Sequence, residues 1–104
     1  MTVNLSEKDN VLTFQLSGEI DHHAARGLMR SIEAGIDGAM PCECVLDMTG
    51  VTFMDSSGIA VILKAFRRMS ELDGVLWVDG VQPQAMKVLD AAGLDRLVKI
   101  TACT

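Results

Sequence analysis

The sequence predicts an α/β fold: a mixed, mostly parallel β-sheet with packed helices, in the order β-β-α-β-α-β-α-β. Three observations carry this. Residues 11–16 (VLTFQL) alternate strictly, with Leu12, Phe14 and Leu16 on one face. Amphipathic segments with helical spacing separate the later apolar runs, so successive strands are joined by crossover helices and pair in parallel. The polar stretch 6–10 turns a first short strand, Thr2 to Leu5, back onto the second as an antiparallel hairpin.

Each element has its own signal. Gly18 closes the second strand, and Asp21 is an N-cap for a helix to about Asp37 whose apolar positions are Ala25, Leu28, Met29, Ile32 and Ile36. Gly27 and Gly35 weaken this helix by ~1 kcal/mol each relative to alanine, so packing must hold it. Gly38 and Pro41 end it. Glu43 to Met48 reads as a strand buried on both faces. A second helix from Ser56 or Ser57 to about Leu72 presents Ile59, Ile62, Leu63 and Phe66 to the core, and Val75 to Val78 is a short strand. Pro83 suits the first turn of a third helix, which Gly93 stops, and Leu97 to Ile100 is the last strand.

The 104 residues are expected to form one domain, 1–104, with a single core. Only Phe14, Phe53, Phe66 and Trp77 are aromatic, so aliphatic residues and methionine fill that core. A net charge of −5 argues against a nucleic-acid partner, which would bind a basic surface. No apolar run approaches the ~18 residues of a membrane span, and the N-terminus lacks a secretory signal. A cytoplasmic protein, with no membrane partner, is expected. Three cysteines fit a reducing compartment. Cys42 and Cys44 are placed at the start of a strand and on one face; two thiols alone are no zinc site, and no metal or cofactor is expected.

The segment Asp55-Ser56-Ser57-Gly58 lies between a strand and the second helix, where helix polarity favours a negative charge. With Ile59, Ile62, Leu63 and Phe66 as the buried stripe, the stripe's centre lies almost opposite Ser57 and about 70° from Ser56. Ser57 is then the reachable hydroxyl, and Val61, Lys64 and Arg68 share its outer face. Val61, one turn away, is a candidate partner contact. Three uses of the hydroxyl are open. A serine can cap the helix, stabilising it by ~1 kcal/mol. It can be a nucleophile with Asp55 and one of His22 and His23, although no Gly-x-Ser-x-Gly surrounds it. Or it can be phosphorylated, adding roughly −1.5 to −2 charges at a spot the fold tolerates and a partner does not, beside the already negative Asp55.

Gly18-Glu19-Ile20-Asp21-His22-His23 and, after an intervening strand, Phe53-Met54-Asp55-Ser56-Ser57-Gly58-Ile59 resemble the STAS family, most closely its bacterial anti-sigma factor antagonists of the sporulation type. Gln82-Pro83 through Leu89-Asp90-Ala91-Ala92-Gly93-Leu94 is similar to that family's third helix, and the likeness runs over nearly the whole chain. It implies a STAS-like fold and a non-enzymatic protein. Its partner would be an anti-sigma factor that is also an ATP- or ADP-bound serine kinase, and docking releases the sigma factor for transcription. The kinase phosphorylates the second serine of the motif, Ser57 here, and a serine phosphatase restores it. Asp21, His22, Met54, Asp55, Ser56 and Gly58 would form the docking surface. Asp21 can equally be a plain cap, and His22 and His23 ordinary solvated side chains. Relatives of the sporulation type usually continue past the last strand into another helix, whereas this chain stops at Thr104. That would leave the sheet or the third helix less covered and favour self-association; a monomer or weak dimer is expected. STAS subunits of lipid-transport, stressosome and anion-transporter assemblies are the alternative setting.

Overall fold

The computed structural model describes residues 1–103. The chain runs β1 (Thr2–Lys8), β2 (Val11–Ile20), α1 (His22–Ala39), β3 (Glu43–Met54), α2 (Ser57–Glu71), β4 (Val75–Val81), α3 (Pro83–Ala92) and β5 (Lys99–Ala102), with a 3-10 turn at Leu94–Arg96. The five strands lie side by side in chain order; β1 is antiparallel to β2, and every later pair is parallel. The expected order of elements is the observed one. Among the described residues no helix is long and apolar enough to cross a membrane.

The hairpin is tighter than expected. Lys8 pairs with Val11, leaving only Asp9 and Asn10 in the turn, both left-handed at φ 53° and 65°. That is the type I′ geometry whose twist matches the flanking strands, and Asp and Asn tolerate it. β2 continues past Gly18 to Ile20, with a register shift at Gly18, whose φ of 105° suits glycine. In α1 the stop is Met40, left-handed at φ 47°, whose N–H donates to Ile36 O; Gly38 lies inside the helix.

Strands advancing in one direction with right-handed crossovers place all three helices on one side of the sheet. The register agrees: Leu12, Cys44 and Leu76 align across three strands, as do Phe14, Leu46 and Val78, and all six are buried. On the opposite side Glu43, Val45, Asp47 and Trp77 are only half-buried. β3 therefore has one covered face rather than two. Trp77 lies along the open face, its Nε1 donating to Glu43 Oε1 at 2.9 Å and Lys99 Nζ 4.6 Å from its ring centre. Cys42 precedes β3 and is exposed, whereas Cys44 is buried, so the two do not share a face. Burial pushes the Cys44 thiol up to about 12.

α2 departs most from expectation. Its buried residues are Gly58, Val61, Ile62, Ala65 and Met69, while Ile59, Leu63 and Phe66 are half-buried at the core's rim. The small residues Gly58, Val61 and Ala65 share the buried face with Ile62 and Met69, and Ile59, Leu63 and Phe66 pack at its edges. With Ser57 at zero, the buried centre lies near 95° rather than opposite.

Candidate functional site

Two strand ends meet at the site. β2 finishes at Ile20 and β3 at Met54, and the Asp55 N–H donates to Ile20 O at 3.1 Å, tying the start of α2 to the start of α1. Ligands of open parallel sheets gather at such carboxyl ends.

Asp21 caps α1: its Oδ1 accepts from the Ala24 N–H at 2.8 Å. This bond holds the Asp21 carboxyl below its usual value, with a smaller contribution from the positive charge at His23. His22 and His23 follow, exposed, with ring centres 6.0 Å apart.

At α2 neither serine hydroxyl is the cap. Asp55 Oδ1 accepts from the Ser57 N–H at 2.8 Å, and the Ser56 hydroxyl makes no cap bond. The next N–H groups are engaged in the turn as well: Gly58 donates to Asp55 O at 3.0 Å and Ile59 to Ser56 O at 3.1 Å. The helix start thus holds its anion already, the Asp55 carboxylate, and has no vacant N–H cradle. The carboxylate a catalytic triad would place on a histidine is engaged with backbone, so the nucleophile arrangement is not assembled.

The 95° rotation of α2 settles the two serines. Ser56 lies about 165° from the buried centre and is exposed, while Ser57 sits on the flank, half-buried. The expectation that Ser57 is the more exposed of the two is reversed. Ser57 is not sealed, however: it lines a cavity of about 250 Å³ with His22, Ala25, Arg26, Met29 and Ala60.

Three expected contact residues face the interior instead. Met54 is fully buried and Val61 is 2% exposed. Val61 belongs to the row of small residues under α2, and Met54 plugs the sheet where β3 ends. Gly58 is buried against that plug, and a Cβ built there would overlap Met54 Cγ and Sδ. None of the three offers a surface to a partner. Asp21, His22, Asp55, Ser56 and Ser57 do line one end of the molecule, and Phe53, 40% exposed, adds an apolar side chain next to them.

Sequence reasoning missed Gln84. Its Oε1 accepts from the Met54 N–H and its Nε2 donates to Met54 O, both at 2.8 Å, so one amide of α3 acts as a strand partner for the end of β3. No periodicity signals such a contact between residues 30 apart.

Residues 2–102 match the STAS domain family, and the chain belongs to it. It is 30% identical to the anti-sigma F factor antagonist of Paenibacillus polymyxa over 96% of this chain and 86% of the relative. Its fold is similar to that of an anti-sigma factor antagonist from Mycobacterium paratuberculosis, with TM-score 0.87 and 25% identity over 96% of this chain and 84% of that one. It also resembles the Bacillus cell fate determinant SpoIIAA in its phosphorylated form, with TM-score 0.74 and 24% identity over 95% and 90% of the two chains.

Proposed function

We propose that this protein is an anti-sigma factor antagonist switched off by phosphorylation of Ser57. It docks on an anti-sigma factor that is also a serine kinase, through the end of the molecule bearing Asp21, His22, Asp55 and Ser56. Docking releases a sigma factor. The names of its relatives, antagonists of anti-sigma factors F and B, support the partner class. The observation that carries the switch is a serine at the first residue of α2, reachable through a cavity and released from capping because Asp55 caps instead.

In the transfer, Ser57 Oγ attacks the γ-phosphorus of the kinase's ATP. An O–P bond forms, the bond to the β–γ bridging oxygen breaks, ADP leaves, and the hydroxyl proton passes to a base of the kinase. The dianion then stands beside Asp55 on the docking surface, where like charges oppose reassociation. A serine phosphatase restores the hydroxyl. No step places a catalytic group on this chain, and the reading puts the protein in the cytoplasm.

The test mixes the purified chain with the anti-sigma serine kinase of the same cell and ATP. Expected are one phosphate per chain, located on Ser57 rather than Ser56 by fragmentation mass spectrometry, and loss of phosphate in Ser57→Ala. Binding to a transporter ATPase without phosphorylation, or phosphate on Ser56, would overturn the reading.

A further inference from the structure

α1 and α2 run in the same direction, side by side, and charged pairs stitch their seam. Arg68 Nε lies 2.6 Å from Asp37 Oδ1, and Lys64 Nζ lies 3.0 Å from Glu33 Oε1. Both pairs join residue n of α1 to residue n + 31 of α2, and they stand four residues apart, about one turn. Two turns further toward the N-termini, the same relation sets Arg26 opposite Ser57. The cavity confirms the alignment, since Arg26 and Ser57 both line it. This rung differs from the other two. The cation is on α1, no carboxylate faces it from α2, and Arg26 has no ion pair among the described residues.

We infer that Arg26 is the intramolecular receptor for a phosphoryl group on Ser57, so that modification completes the third rung of the α1–α2 seam. This rests on the reading that Ser57 is phosphorylated. The guanidinium presents a planar fork that matches two phosphate oxygens. A cation is needed there because the first-turn N–H groups of α2 are already engaged, leaving the phosphate little from the helix start. The other charged or titratable groups around this end are Asp21 and Asp55, which repel the phosphate, and three that attract it when protonated: His22, on the cavity wall one turn before Arg26, His23 beside it, and Lys87 of α3, which shares a hollow with Ser56. Arg26 is exposed and carries no core packing, so its replacement leaves the fold intact. The phosphate is then clamped to its own domain across two helices, besides adding charge to the docking surface.

The test needs no kinase. Phosphoserine is installed at position 57 during synthesis by codon reassignment, and phosphorus NMR follows its second ionisation. Against the same phosphoprotein carrying Arg26→Gln, the wild-type phosphate is expected to ionise at a pH lower by about half a unit. Phosphorylation should also raise Tm relative to the unmodified chain by more in wild type than in Arg26→Gln. Arg30→Gln, one turn further along α1, removes the same net charge and is expected to leave the ionisation unchanged. Identical curves for wild type and Arg26→Gln, or equal displacement by both substitutions, would overturn the inference. A kinase that ignores Ser57 would overturn the proposed function and leave this result standing.

Discussion

The starts of α1 and α2 are built from the same parts and end differently. Each follows a strand whose last residue is a buried apolar plug, Ile20 at 2% exposure and Met54 at 0%, and each plug is followed by an aspartate. Asp21 sits in extended backbone, φ −104° and ψ −176°, and its carboxylate reaches three residues ahead to Ala24. Asp55 reaches only two ahead, and Ser56 is already helical at φ −63° and ψ −16°. Setting the cap one residue earlier frees both serines from structural duty. One start is a plain helix cap; the other is a cap that leaves hydroxyls for chemistry.

The largest test removes the plugs. Ile20→Ala and Met54→Ala are each expected to cost about 2–5 kcal/mol in denaturant unfolding, since both sites are sealed. A cost below ~1 kcal/mol at either would show that the plug does not hold its helix start. The next test turns on glycine and predicts opposite signs. Gly58→Ala overfills the space against Met54 and should destabilise by about 1–3 kcal/mol, relieved when combined with Met54→Ala. Gly27→Ala in α1, with nothing within 4 Å of the added carbon, should stabilise by about 0.5–1 kcal/mol.

A smaller effect separates the two aspartates by pH. The Asp21 carboxyl ionises below its ordinary 3.8 in the folded chain, so its contribution is present at neutral pH and fades as the pH falls below that value. Asp21→Asn keeps a cap acceptor but cannot titrate. Its Tm should therefore fall less steeply than wild type through the acid limb, and parallel curves would remove Asp21 from the pH response. The smallest effects fall to the serines: Ser56→Ala and Ser57→Ala are each expected to change stability by under ~0.5 kcal/mol. A loss of ~1 kcal/mol would mean that the hydroxyl is a cap after all.

These contrasts mark where sequence reading works. The alternation of Leu12, Phe14 and Leu16 and the helical spacing of Ala25, Leu28, Ile32 and Ile36 carry the order of elements, because each pattern reports directly which side of an element meets the core. Asp21 as a cap was legible for the same local reason. The facing of α2 was not. Side-chain size ranks Ile59, Leu63 and Phe66 above Gly58, Val61 and Ala65, but α2 seats these three small residues, with Ile62 and Met69, on its buried face. That rotation moved Val61 inward and exchanged the exposures of Ser56 and Ser57. The clamp of Gln84 on Met54 depends on α3 lying over β3, a tertiary fact with no local trace. Likewise the seam that aligns Arg26 with Ser57 appears only once Glu33 and Asp37 have found their lysine and arginine.

The single indole of this chain lies on the bare side of the sheet, held by Glu43 and Lys99, with the strand layer between it and the helices. Its emission therefore tracks melting of the strands while staying indifferent to whatever binds over the serines. Any quenching seen on complex formation would betray a second footprint, on the side of the molecule that no helix shields.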